Sequence, residues 1–215
     1  MEFVSQRGIV DITEIGEYNK YLHRCLGGPP SRGSKKRLEY LNRAIPRGFR
    51  KKLLIVNGDV VGQIEHSPSE VSYYPIVGDD MIVMNCVWVL RRAKGHNFGK
   101  LLVEDMMSRE KDASCFATIG LENHWSPWFR KWQMEKLGFR PLEFINVKQK
   151  TKYKGRVFRI HLMWMPTTEN VNPPTWDQEK LLEGITSCMA HPLYHPQTYN
   201  PREIFSEISS TSHKD

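Results

Sequence analysis

Four cysteines are scattered along the chain, Cys25, Cys86, Cys115 and Cys188, and no two of them form a CxxC pair. With two of them inside apolar stretches, they read as reduced core residues of a cytosolic protein. No apolar run is long enough to span a bilayer. The longest, MIVMNCVWVL from Met81 to Leu90, is about half the length a spanning helix needs. The first residues, MEFVSQRG, carry no apolar signal region, so the expectation is a soluble, cytoplasmic protein without a membrane partner. There is no internal repeat. There is no aromatic-rich RNA motif and no DNA recognition helix, which disfavours nucleic acid as a partner.

What is present is the composition of a folded domain. Of 215 residues, 40% are hydrophobic and 26% charged, enough to build one real core with an appended segment. The net charge of +7 and a pI near 9.2 favour anionic partners, phosphate-bearing cofactors among them.

The hydrophobic period divides the chain. Gly8 to Ile12 predicts a strand and Thr13 to Leu26 a helix, with Ile15, Tyr18, Tyr21, Leu22 and Leu26 at helical spacing. The glycine- and proline-rich stretch from Gly27 to Ser34 predicts a loop. A second helix is expected over Lys35 to Ile45, with Leu38, Leu41 and Ile45 on its inner face. Then the period shortens. Lys51 to Val56, the Asn57-Gly58 turn and Asp59 to His66 predict a hairpin. Met81 to Leu90 reads as a central strand buried on both faces.

After Lys94-Gly95-His96-Asn97-Phe98-Gly99-Lys100 a helix is expected to about Lys111, followed by a buried strand over Ser114 to Leu121. At this length the strand, helix and strand form a crossover between parallel strands. Pro127 predicts a helix from Trp128 to Leu137, with Trp128 and Trp132 on one packed face or forming a wall that stacks an acceptor. Two further strands are expected over Phe139 to Val147 and Val157 to Trp164. The basic hairpin joining them (Lys148, Lys150, Lys152, Lys154 and Arg156) reads as a solvated, aggregation-resistant edge.

The glycine turn is the most informative local feature. A turn between a buried strand and a helix presents backbone N–H groups at the positive end of the helix dipole, which is an anion site. Gly95 and Gly99 keep side chains away from it, Asn97 tolerates left-handed φ, and Lys94, His96 and Lys100 add positive charge. A Walker loop is excluded because Leu101 follows Gly99-Lys100, and a dinucleotide fold because the turn comes mid-chain, after an antiparallel hairpin.

The sequence resembles the GNAT superfamily of N-acetyltransferases. That family's Gln/Arg-x-x-Gly-x-Gly/Ala signature lies between a strand valine and a helix leucine. Here Val89, Lys94 to Gly99 and Leu102 fall on it, with Lys94 and Asn97 in place of the usual Arg/Gln and Gly. Glu135-Lys136-Leu137-Gly138-Phe139 is similar to a second family segment, and the order of elements is the same. The resemblance covers roughly Gly8 to Met165. It implies an α/β fold with a mixed, largely antiparallel sheet, a central parallel strand pair and flanking helices.

It further implies acetyl-CoA as cosubstrate, with no metal, and direct attack by an amine. Apart from the resemblance, the basic hairpin has a second reading as an attractor of an acidic acceptor or a nucleic acid, and the tryptophans would suit an aromatic acceptor. Cofactor contacts are expected from Val87, Trp88 and Val89, from Lys94, Gly95, His96, Asn97, Phe98, Gly99 and Lys100, and from Asn123 just past the following strand. Glu122 and Glu65 are the candidate bases, each with an alternative reading as a solvated or structural carboxylate. The family's usual general acid, a tyrosine four residues before the helix-ending glycine, is replaced by Met134. A CoA-binding module without catalysis is therefore the alternative to an enzyme.

The domain is expected to end near Pro166. The extension over 167–215 contains Trp176, Leu181, Leu182, Ile185, Leu193, Phe205 and Ile208, too much apolar surface for a disordered tail. It should pack on the domain or on a second subunit of a homodimer. One helix is expected after Asp177 and a second from Pro201, with Ile204, Phe205 and Ile208 on one face. Cys188, His191 and His195 have a metal-like spacing, but three ligands leave zinc without its fourth.

Overall fold

The computed structural model describes residues 7–13, 19–26, 34–149, 156–195 and 205–208. Ile15, Tyr18, the loop up to Gly33, the lysines at 150, 152 and 154, and Pro201 to Ile204 lie outside the described residues. Strands β1 (Arg7–Asp11), β2 (Arg50–Val56) and β3 (Asp59–Pro68) form an antiparallel meander. The β2–β3 turn uses Asn57 at φ 51° and Gly58 at φ 83°, the positive values that an Asn-Gly hairpin turn needs. Helices α1 (Asn19–Leu22) and α2 (Lys35–Ala44) precede that hairpin, and β4 (Ile76–Val77) follows it. The central unit is β5 (Met81–Val89), α3 (Phe98–Arg109) and β6 (Cys115–Glu122). Then come α4 (Lys131–Lys136), β7 (Arg140–Gln149) and β8 (Val157–Pro166). The sheet order is β1-β2-β3-β5-β6-β8-β7, closed at its far edge by β10 (Phe205–Glu207). The β5–β6 pair is parallel, and the other neighbours are antiparallel.

Strands β5 and β6 pair only from Met81–Cys115 to Val83–Ala117. Beyond that point β5 stays with β3 as far as Val89, and β6 stays with β8 as far as Glu122. The strands therefore diverge as a fork. Two features set its vertex. Asn85 has no partner on β3, because Glu65 pairs with Cys86 and His66 with Met84, so β5 carries a bulge. Thr118 Oγ1 donates to the Met84 carbonyl at 2.8 Å, satisfying a backbone group that β6 no longer reaches.

The expected face of α2 is shifted. Leu38 is 48% exposed, and the buried positions are Arg37, Tyr40, Leu41 and Ala44. The reason is electrostatic. Glu65 is buried on the sheet face under α2, and a buried carboxylate needs partners. Arg37 donates to it through both terminal nitrogens (2.8 and 3.2 Å), Lys51 Nζ lies at 2.7 Å, and the Tyr73 hydroxyl donates at 2.5 Å. The helix turns to bring Arg37 inward.

The helix expected from Trp128 starts late, at Lys131. Phe129 has φ 54°, and Arg130 bridges Leu121 on the edge of β6 that β5 has left. The vacant strand edge captures the segment that would have been the first helical turn.

The extension joins the same core. Thr175–Trp176 (β9) pairs with β4, Asp177 caps α5 (Gln178–Leu182) through Lys180 N at 3.0 Å, and Trp176, Leu181, Ile185, Leu193 and Phe205 are buried. The second helix of the extension is a correction: Phe205–Glu207 is a strand on Val147–Gln149 of β7. Unpaired backbone groups on that edge outweigh a helical side-chain spacing only a few residues long.

The Glu65 network yields a stability prediction. Burial pulls the Glu65 carboxyl upward, but Arg37 and Lys51 outweigh it and hold it below its ordinary 4.5. Its contribution is thus complete above the unfolded-state value and lost as pH falls through the lower folded-state value. Glu65→Gln leaves two buried cations without their anion and should cost about 3–5 kcal/mol at pH 7. Urea unfolding should show this gap at neutral pH and a narrowing gap below about pH 4.5. A gap independent of pH would contradict the assignment.

Candidate functional site

Strand β5 runs out of the core into a half-exposed end at Val87, Trp88 and Val89. A single 3-10 turn at Arg91–Ala93 then leads to Lys94 and to Gly95, whose φ of 90° is one that side chains rarely adopt. Asn97 follows at φ 56°, ψ 20°, in the left-handed region that asparagine tolerates best. That conformation turns the chain into α3, and the first helical hydrogen bond runs from Leu101 N to Asn97 O at 3.0 Å.

The consequence is an open helix end. The first N–H groups of a helix have no intrahelical acceptor. Asn97 makes no capping hydrogen bond with its side chain, and the first turn holds no acidic residue. Lys94 and Lys100 stand beside this uncompensated positive end, exposed, with Lys100 3.6 Å from Glu104. A Cβ built on Gly99 would come no closer than 3.7 Å to any neighbour, the Leu137 methyl, so packing within the chain does not require glycine there. An anion approaching the backbone does.

Facing this turn across a cleft of about 420 Å³ is the α4 segment. The cleft is bordered by the end of β5, the turn from Lys94 to Lys100 and the α4 side chains. Its inner wall is aromatic: Trp88 and Trp128 meet edge to face at 4.8 Å, and the Lys94 ammonium lies 5.7 Å from the Trp88 ring. Trp88 Nε1 is buried without a hydrogen-bond partner. At the outer rim Trp132 is 48% exposed, under the Lys136 ammonium at 4.9 Å. The core-packing reading of Trp132 is therefore overturned. Because α4 starts at Lys131, its first turn faces the cleft.

Of the residues singled out in the sequence, Val87, Trp88, Val89, Lys94, Gly95, Asn97, Phe98, Gly99 and Lys100 come together on this cleft. His96 does not border it. It is exposed and stacks on Phe98 at 5.3 Å. Asn123, exposed with φ 60°, also stands outside. Met134 lines the cleft while only 2% exposed, and it offers no proton. Gln133 and Lys136 also border the cleft, and sequence reasoning missed them as cleft residues. Lys136 lies in the second segment similar to the family's, and Gln133 carried only its helical register.

Neither carboxylate borders the cleft. Glu65 is saturated by the four donors described above. Glu122, at the end of β6, accepts from Arg159 Nη1 at 3.0 Å and His161 Nε2 at 3.2 Å, both at Oε2. Burial pulls it upward, but these two donors hold it below its ordinary value, so it is ionised at neutral pH.

On the sheet face carrying Glu65, the extension reaches the fork. His191 Nδ1 accepts from Leu193 N at 3.0 Å, so in the neutral ring Nε2 carries the hydrogen and donates to the Tyr74 hydroxyl at 2.8 Å. Burial, and then His124, lower His191 to about 3. Tyr74 in turn donates to the carbonyl of Asn85, the bulge residue, at 3.2 Å. Cys25 and Cys86 both accept from Gln63 Nε2, at 3.3 and 3.4 Å. The Cys25 thiol, though its contact with Cys188 pulls it down, is pushed up to about 12 by Cys86 and by burial, so it is no thiolate nucleophile at neutral pH. No cluster of three metal-ligating side chains occurs among the described residues.

No protein-family model matches the chain, and no curated protein matches its sequence. Solved structures do. A structure described as a GNAT-family acetyltransferase from Desulfovibrio desulfuricans is 9% identical, covering 76% of this chain and 100% of its own, with a TM-score of 0.53. The ribosomal-protein-S18-alanine N-acetyltransferase from Escherichia coli is 16% identical over 78% of this chain and 100% of its own, at 0.51. A Salmonella typhimurium structure described with its cofactor acetyl-CoA is 16% identical over 79% and 97%, at 0.48. The fold of this chain is the GNAT acetyltransferase fold.

The local backbone predicts its own response to mutation. Asn97→Gly should leave stability unchanged or slightly higher, whereas Asn97→Val should cost about 1–2 kcal/mol for a β-branched residue held at positive φ. Urea denaturation of the two variants measures the difference, and equal midpoints would count against the left-handed assignment.

Proposed function

We propose that the protein is an acyl-CoA-dependent N-acyltransferase that holds acetyl-CoA in the cleft between α3 and α4. The observation that carries the reading is the uncapped N-terminus of α3 opening onto a forked sheet. The amides from Gly95 to Lys100 would hold the pyrophosphate, with Lys94 and Lys100 adding charge. The pantetheine arm, which carries amides, would pair with the β5 edge at Val87 to Val89, where β6 has withdrawn. Its thioester supplies an activated acetyl group. The β5 backbone N–H groups at Val87 to Val89 are the donors available to a carbonyl whose oxygen becomes negative.

An amine attacks directly: the C–N bond forms, the C–S bond breaks, and the thiolate leaves to be protonated. Glu122, ionised and half-exposed, is the better of the two carboxylates to receive the amine proton through water. Glu65 is committed to its four donors. The acceptor is an amine, and the aromatic wall of the cleft would suit an aromatic one.

Met134 favours one second reading, a CoA-binding module without turnover, because the position of the family's acid holds a thioether. Thiol release from acetyl-CoA across a panel of amines separates the two readings. Gly99→Ala tests the shared premise. Alanine fits the protein and improves a helical position by about 0.5–1 kcal/mol. Stability should therefore hold or rise while CoA affinity, read by calorimetry, falls at least tenfold. Unchanged affinity would sink the assignment of the site.

The boundary near Pro166 belongs to the same proposal, with 167–215 acting as a clasp that holds the fork through His191 and Tyr74. Truncation after Pro166 uncovers the apolar surface beneath Trp176, Leu181 and Phe205. The expected outcome is a markedly lower melting temperature or insolubility. A truncated protein as stable and soluble as the full chain would refute the clasp.

A further inference from the structure

We infer that Trp132 is the stacking platform for the adenine ring of the coenzyme and selects the nucleotide-bearing form over simpler phosphopantetheine carriers. This rests on the acetyl-CoA reading and assigns a subsite to its outer half. The cleft has a direction. Trp88 and Trp128, half-buried and in edge-to-face contact, stand at the inner wall, where β5 leaves the core. Trp132 stands at the rim on α4.

If the pyrophosphate lies on the amides of α3 and the pantetheine runs inward along Val87 to Val89, the adenosine must leave outward. It is then on the rim, across from the glycine turn. Among the described residues the large exposed hydrophobic side chains are Leu38, Val77, Trp132, Leu142, Phe144, Val157 and Met189, and of these Trp132 alone borders the cleft. An exposed indole gains little from the fold, and a flat aromatic surface beside an anion site is what a purine needs.

Lys136, four residues on in the same helix, places its ammonium 4.9 Å from the Trp132 ring centroid and also borders the cleft. It sits where the phosphate on the ribose of such a ligand would find a cation. The alternative use of the aromatic wall, stacking an amine acceptor, would instead act at the inner end, beside the thioester.

Binding of three probes by calorimetry tests this: CoA, adenosine 3′,5′-bisphosphate and 4′-phosphopantetheine. Base–aromatic stacking is worth about 1–3 kcal/mol, and about 1.4 kcal/mol is tenfold. Trp132→Ala should weaken CoA and the bisphosphate about tenfold or more and leave 4′-phosphopantetheine within about twofold. Trp132→Phe, which keeps a flat ring, should recover most of the loss. Melting curves of both variants should match the wild type, since the side chain is exposed. Equal weakening of all three probes, weakening of phosphopantetheine alone, or no change in any overturns the platform while wild-type CoA binding keeps the acetyl-CoA reading standing. A wild-type protein that binds none of the three overturns both.

Discussion

The rest of the molecule depends on β5 and β6 parting company after three paired residues. A parallel pair in the middle of a sheet would normally be held by a full ladder of hydrogen bonds. Here the ladder stops at Val83 and Ala117, and each strand keeps only its outer neighbour. Splitting a sheet leaves backbone groups unpaired in the interior, which is costly unless something replaces the lost partners. The fold supplies several replacements. Thr118 reaches the Met84 carbonyl, Tyr74 reaches the Asn85 carbonyl, and Phe129–Arg130 bridges β6 at Leu121. What stays open is the end of β5 from Val87 to Val89, and that opening is the inner half of the cleft.

The outer half is set by a helix that begins without a cap. A cap residue in the extended conformation would let its side-chain oxygen accept from one of the first amides, and the left-handed backbone at Asn97 forgoes that bond. Asparagine in a left-handed conformation turns the chain sharply and leaves the amides facing the cleft. The first turn holds no carboxylate and is flanked by lysines. Local stability is given up at one place, and the place is the one where an anion would restore it. The same α3 helix is secured elsewhere, by Phe98, Leu102, Val103 and Met106 in the core and by Asp105 at 2.7 Å from Lys52.

The opposite face of the sheet is built around charge. Glu65 with Arg37, Lys51 and Tyr73 forms a buried network that fixes the rotation of α2, and the extension closes over the same face through His191, Leu193 and Phe205. Burying a carboxylate with two cations adds little stability relative to an apolar core, but breaking the set is severe. Such a network therefore specifies one arrangement of α2 and the sheet. The neutral His191 bonded to Tyr74 connects the extension to the bulge. A segment that the family resemblance does not cover is thus bonded to the bulge of β5.

Periodicity and turn chemistry carried much of this in the sequence. The Asn57-Gly58 hairpin, the buried strand at Met81 to Val89, the crossover to β6 and the glycine turn at Gly95 to Gly99 each depend on neighbours a few residues apart. They are decided by φ preferences and by which face is apolar, and so are legible locally. The failures share a different cause. Leu38 faces solvent because a glutamate 27 positions later demands Arg37. Trp132 sits on the rim because a strand edge vacated by β5 captures Phe129 and Arg130. Phe205 lies in a strand because β7 offers an unpaired edge. The place of Glu65 among four donors, out of reach of the cleft, likewise depends on chain segments far apart in sequence. Local propensities are worth tenths of a kcal/mol per residue, whereas an unpaired buried charge or backbone group costs several times more. Wherever the two compete, only the assembled structure decides.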